Sequence, residues 1–496
     1  MKVSIVTDRK ALPQELIIPV EQHDKTGHFL TSLATQFELP NGFITDFKGK
    51  YKETLVLYSN QKNPSKIYLV GLGKKPSFIK TREALRSFAF QKKDKFDQSI
   101  GLETTYLSTP LALEAAINGL ELSTYNIHLF HSKTVKPHFL TTNNLEILLN
   151  EENNSLKKEA IQKGIATGET QKQAFDLVNL DAAHLKPTAL ANWAVQSGKK
   201  YGYEVKVFDK TASAQLGLKA FLAVNRASEF APAFIVAEYR PKNLSTAPKV
   251  GFVGKGVTFD TGGLNIKTAG MHFMKSDMGG AAAVLGAIEL TAKLQLPIHL
   301  TVIVPATDNC VDALAIRPSD VIDSFSGKTI EIIDTDAEGR LTLADGVAYM
   351  IKNYQPDVLI DVATLTGSSI RALGYHAGAL FSSSSELANE LKAVGERTGE
   401  RLWELPLYEE FINELKSDVA DIRNLGTRPM AGASTAAKFV QFFTDNHPKW
   451  AHLDIAGVAF SDSEYTKQKA GTAFGVNLLV EYLKGLIKNS SQEESA

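Results

Sequence analysis

Between residues 188 and 485 the chain alternates two kinds of segment. Short apolar runs rich in β-branched residues fall at 205–208, 234–238, 250–253, 300–304, 330–333 and 358–362. Stretches with apolar residues at helical spacing lie among them, as at 189–199 and 341–351. Strands that alternate with helices pair in parallel and are covered on both faces, so this pattern predicts an α/β fold with a doubly wound, mainly parallel sheet flanked by helices. Residues 1–150 read as a separate, smaller N-terminal α/β domain, with strands at 55–58 and 67–70 and a helix at 81–92. The polar run 151–155 marks a boundary. A linking helix is expected within 151–178, a larger domain over 179–489, and a polar tail at 490–496 that frays.

Within the larger domain, Asp336 and Glu338 stand two residues apart and are followed by Gly339 and Arg340. The run 329–333 before them has strand character, and the run from Leu341 has Leu343, Val347, Ala348 and Ile351 at helical spacing. The acidic pair therefore sits on a strand-to-helix turn, where ligand sites gather in open α/β sheets. A plainer reading makes these carboxylates turn and helix-capping groups. Upstream, Gly254, Lys255, Gly256, Asp260, Gly262, Gly263 and Lys267 follow another strand candidate, and Asp277 precedes an apolar helical run at 278–285, where a helix cap is again the plain alternative. Gly254-Lys255-Gly256 lacks the G-x-x-x-x-G-K-[ST] phosphate-loop pattern, and Gly71-Leu72-Gly73 lacks the third glycine of a dinucleotide fingerprint and reads as a tight turn. If Asp260, Asp277, Asp336 and Glu338 converge, they repel one another unless cations neutralise them, and two divalent ions would do so.

Taken together, these stretches resemble the leucyl (cytosol) aminopeptidases of the M17 metallopeptidase type. Residues 334–341 match the family signature N-T-D-A-E-G-R-L except for Asp334, and the V-G-K-G-[IV]-T-F-D-[ST]-G-G block is intact at 253–263. The blocks at 361–367 and 450–457 follow in the family's order, so the resemblance spans 155–485. It implies that 179–489 is a catalytic domain that hydrolyses the first peptide bond of peptides with a free N-terminus, with a preference for leucine-like residues. It implies two metals, the tighter on Lys255, Asp260, Asp277 and Glu338, the second on Asp260, Asp336 and Glu338. Lys267 would stabilise the oxyanion, and Arg340 would hold a bicarbonate that shuttles the proton. The family favours zinc in the tight site and exchangeable zinc, manganese or cobalt in the other; ligand softness alone would equally suit manganese or magnesium. Met274, Thr364, Gly367 and Ala456 match its pocket for the first side chain; His272 has no metal role in it, and His376 and His452 read as structural. The family's assembly is a hexamer. The chain departs from the pattern at Asp181 and Ala183, at Asp334, which adds charge beside the acids, and at Thr268, where proline is usual.

Composition narrows the remaining choices. The 496 residues are 44% hydrophobic and 22% charged, as expected of a chain with ample core. A formal net charge of −1 gives no general attraction to nucleic acid or anionic membrane. The single cysteine, Cys310, excludes an intramolecular disulfide and a cysteine-rich metal site. No apolar run suits a signal peptide or a membrane span, so the cytoplasm is the expected location and peptides the expected partners. A metal-dependent phosphoesterase and a non-catalytic binding protein on the same scaffold are the competing classes.

Overall fold

The structure, a computed structural model, describes residues 1–7, 12–40, 42–96, 98–107, 109–132, 135–149, 155–241 and 247–493. The polar boundary at 151–154 and the tail at 494–496 lie outside the described residues. The chain forms two compact units, Met1–Lys172 with Glu464–Lys467, and Gln173–Ser463 with Gln468–Ala496.

The first unit is built on six strands: β1 (Lys2–Val6), β2 (Glu15–Glu21), β3 (Thr54–Tyr58), β4 (Lys66–Gly73), β5 (Ile100–Glu103) and β6 (Asn144–Leu148), in the order β1-β6-β5-β2-β4-β3. Only β3 runs antiparallel to its neighbour. Gly71-Leu72-Gly73, expected as a tight turn, instead completes β4. The helix expected at 81–92 begins earlier, at Phe78–Gln91, because Ser77 caps it by accepting a hydrogen bond from Lys80 N. Its Leu85 and Phe88 join β-strand residues Ile17, Val70 and Leu102 in one buried cluster.

In the second unit the main sheet takes β7 (Glu204–Phe208), β8 (Ala233–Tyr239), β9 (Lys249–Gly254), β10 (Gly256–Asp260), β11 (His299–Asn309), β14 (Val358–Ala363), β15 (Gly378–Ser382), β16 (Leu402–Glu404) and β18 (Trp450–Asp454). Their order is β16-β15-β18-β14-β9-β11-β8-β7, with β10 beside β11. The centre, β18-β14-β9-β11, is parallel; β7, β8 and β15 join by antiparallel pairs. Every residue of β8 and β14 is buried, which is why these strands read as continuous apolar runs rather than alternating ones. Burying a Val, Leu or Ile side chain contributes about 1.5–3 kcal/mol, so Val253, Ile303, Leu341, Val347 and Leu359 anchor the sheet and its covering helix in one core.

The run expected as a main-sheet strand at 330–333 behaves differently. Only Thr329–Glu331 (β13) is extended, and it belongs to a three-stranded side sheet with β12 (Val321–Asp323) and β17 (Ile422–Arg423). A further two-stranded ribbon pairs β19 (Phe460–Ser461) with β20 (Ala470–Gly471). Among the described residues no helix is long and apolar enough to cross a membrane.

Candidate metal centre

The site forms at the C-terminal ends of the parallel strands, the expected place in an open α/β sheet. Lys255 is the single residue between β9 and β10. Its N–H donates to Val362 O (2.9 Å) and its carbonyl accepts from Ala281 N (2.9 Å), so its backbone is pinned between β14 and the helix Gly279–Lys293. Asp260 is the last residue of β10. Gly262 and Gly263 follow with φ of +86° and +61°, a left-handed turn that side chains with a Cβ resist, and Lys267 N returns to Thr261 O at 2.9 Å. Asp277 leaves the 3-10 turn Met271–Ser276 just before the helix Gly279–Lys293, whose cap residue Met278 makes no side-chain cap bond. Glu338 stands at the start of the helix Gly339–Tyr354 and does not cap it by side chain. Both capping alternatives therefore fail, and the carboxylates turn inward.

Lys255 Nζ lies 2.6 Å from Asp277 Oδ2 and 3.0 Å from Glu338 Oε1 and donates to Thr364 O at 3.1 Å. Gly339 makes room for it: a Cβ there would lie 2.3 Å from Lys255 Cε. Lys267 Nζ lies 2.7 Å from Asp260 Oδ2 and is also paired with Asp336. Asp260, Asp277 and Glu338 bring carboxylate oxygens within 4.8 Å of one another. Asp336 lies outside that trio and reaches it through Lys267.

The electrostatics are crowded. Burial, then repulsion from Asp260, pushes Asp336 up to about 7, and burial raises Glu338 and Asp277 despite Lys255 beside them. Burial alone would depress Lys255, but the Asp277, Glu338 and Asp260 carboxylates override it and hold the ammonium above the usual lysine value. Lys267 is raised in the same way, burial opposing and Asp260 prevailing. Glu338 Oε2, fully buried, has no hydrogen-bond partner among the described residues. An orphaned buried carboxylate oxygen amid oxygen and amine donors fits divalent cations.

Arg340 is buried and donates through Nη1 to Asn424 O (2.7 Å), while Nε has no partner among the described residues. Burial lowers it to about 10, partly offset by Glu338, which leaves it a cation at neutral pH. Asp345 is turned away from it and accepts Phe221 N and Phe325 N. Asp334 Oδ1 accepts Asp336 N at 2.8 Å, a turn bond that an asparagine oxygen at this position could equally accept.

Several supporting residues escaped the reading from sequence. Asn424 accepts Ile333 N and Asp334 N and donates to Asp334 O, so a residue some ninety positions away holds the acidic loop. Asn309 donates to Asp260 and to Thr335 O. Extending the 300–304 strand to Asn309 would have placed that residue at a strand's C-terminal end and flagged it; nothing local flags Asn424. Thr364, expected in a side-chain pocket, also donates to Asp277 Oδ1 at 2.9 Å. His272 stacks near Phe273, His376 is exposed, and His452 is buried against Asp361; none of the three joins the cluster. Thr268 is exposed, and Asp181 accepts Ala183 N in a turn of its own.

Both the sequence and the fold have known relatives. The family model described as cytosol aminopeptidase family, catalytic domain, covers residues 172–480, and that family's N-terminal domain model covers 44–134. A probable cytosol aminopeptidase of Chlorobium limicola is 41% identical over 459 residues, 89% of this chain and 91% of that one. Among solved structures, the cytosol aminopeptidase of Coxiella burnetii superposes with a TM-score of 0.81 at 30% identity, covering 97% of this chain and 99% of its own. The bottromycin maturation enzyme BotP in complex with Mn gives 0.82 at 30% identity, over 95% and 99%. The chain belongs to the cytosol aminopeptidase family of M17 peptidases. Its activity is accordingly that of an aminopeptidase, a hydrolase of peptides.

Proposed function

We propose that the chain is a two-metal aminopeptidase that releases the first residue of peptides with a free N-terminus, leucine-like residues preferred. The observation that carries this reading is the convergence of Asp260, Asp277 and Glu338 oxygens within 4.8 Å around the Lys255 amine. Lys255, Asp260, Asp277 and Glu338 would hold the tighter cation; Asp260, Asp336 and Glu338 the second, with Asp260 and Glu338 shared. Zinc or manganese suits this donor set, and the similar BotP was solved with Mn. When bound, the pair polarises the scissile carbonyl and makes water nucleophilic near neutral pH.

The chain's own residues supply the rest. Lys255 could ligate only as a free amine, so it would give up its proton to hold a cation, whose charge would then replace that of the ammonium beside Asp277 and Glu338. Lys267, paired with Asp260 and Asp336, is a fixed ammonium at the mouth of the cluster and would donate to the oxyanion as it develops. All four carboxylates serve as ligands in this reading, so the proton acceptor must come from elsewhere. Arg340 offers a planar guanidinium whose Nε has no partner among the described residues, suited to hold a bicarbonate for that task. The natural setting proposed is the cytoplasm, acting on short peptides as a homohexamer.

One experiment tests the core of this. Dialysis against a strong chelator should abolish cleavage of a leucyl chromogenic amide, and manganese or zinc should restore it. An acetylated N-terminus should slow cleavage severely. Full activity in demonstrably metal-free protein, or equal cleavage of free and acetylated peptides, would overturn the proposal.

A further inference from the structure

We infer that Asn309 is a positioning residue of this centre, one that sets metal affinity by fixing the Asp260 carboxylate against the acidic loop. The inference rests on Asp260 being a ligand. Asn309 ends β11, and its side chain is buried at 2% exposure. Its Nδ2 donates to Asp260 Oδ1 at 2.8 Å and to Thr335 O at 3.1 Å. Both partners can only accept, so the amide can adopt only this orientation, and both of its N–H bonds are used. Its backbone carbonyl accepts Thr261 N at 3.0 Å and Thr261 Oγ1 at 2.9 Å.

One residue thus grips two ligand-bearing segments that are separate in sequence. On β10 it holds Asp260 and the next residue; on the acidic loop it holds the carbonyl just before Asp336. Among the described residues Asp260 Oδ1 has one other donor, Gly262 N at 2.8 Å, which belongs to the same turn and cannot relate it to the loop. The Oδ2 atom stays free of Asn309 and faces Lys267. This division leaves one oxygen oriented and the other available. Residues that hold a ligand in this way typically change metal affinity about 10- to 100-fold when removed.

The test uses the full-length protein stripped of metal, with Mn²⁺ as the probe and binding read by equilibrium dialysis. Asn309→Ala and the similarly shaped Asn309→Leu are compared with wild type and with Asp260→Ala. Urea unfolding of the metal-free proteins shows which of the two Asn309 variants is folded, and the folded one is read. The expected result is about 10- to 100-fold weaker Mn²⁺ binding, with kcat recovering at saturating Mn²⁺ and KM for a leucyl amide little changed. Wild-type Mn²⁺ affinity in a folded Asn309 variant overturns the inference. So does failure of both variants to fold, since the residue would then serve the fold and not the centre. If Asp260→Ala itself binds Mn²⁺ like wild type, the ligand reading has failed, and that outcome is separate from the behaviour of Asn309.

Discussion

Lys267 and Arg340 are both cations of the site, yet their surroundings differ, and the proposed function gives them different work. Lys267 pairs with Asp260 and Asp336, whereas Arg340 is buried against Asn424 O, its Nε without a partner among the described residues. Lys267→Ala should therefore lower kcat by about 10²- to 10³-fold, the typical effect of losing one oxyanion donor, and keep any stimulation by bicarbonate. Arg340→Ala should retain both metals by elemental analysis and lose that stimulation. A wild-type rate indifferent to bicarbonate would return Arg340 to a packing role. Both were singled out in the sequence because the chemistry and the family motif sit together within 253–277 and 334–341. Asn309 and Asn424 were not, because neither the end of a strand nor a loop shows which distant carboxylate or carbonyl an amide will meet.

At the scale of elements, the helix Gly339–Tyr354 carries a second buried acid, Asp345. It accepts Phe221 N from the helix Lys219–Asn225 and Phe325 N from the loop after β12. Burial pushes it up to about 7 from 3.8, with those N–H groups opposing. Between these values the native state holds a proton that the unfolded chain has lost, so this group's contribution to stability falls as pH rises from about 4 to about 7 and is level above. Asp345→Asn removes that slope and sets an amide against a backbone N–H, a mismatch worth about 1–3 kcal/mol. Urea unfolding of metal-free protein should show a larger deficit for the variant at pH 5 than at pH 8; the reverse order would contradict the assignment. Helical periodicity had revealed the element through Leu343, Val347 and Ile351, but periodicity carries no information on what a buried polar residue meets. The run at 330–333 misled for a related reason: β-branched residues report burial in some sheet, and nothing in them says which one.

For the whole molecule, the mainly parallel architecture was readable because strands buried on both faces leave long apolar runs between helical stretches. Assembly was not, since composition carries no trace of it. The second unit does leave large apolar side chains in the open, among them Trp403 (63% exposed), Tyr408 (66%), Val419 (66%) and Met430 (71%). Light scattering should give a mass about six times the 54.1 kDa of one chain; a monomer at working concentration would refute the hexamer.

The side sheet also has a kinetic meaning. The loop that bears Asp336 and Glu338 departs from β13, whose ladder to β17 consists of two residue pairs, and is clasped there by Asn424. Opening so short a ladder costs a fraction of global unfolding. In hydrogen–deuterium exchange the amides of Ile333 and Asp334 should therefore trade their protons through local breathing, well ahead of those in β9 and β14. Each such excursion would loosen one wall of the centre while the main sheet stayed shut, giving an exchange route for bound cations in a protein that is otherwise fully folded.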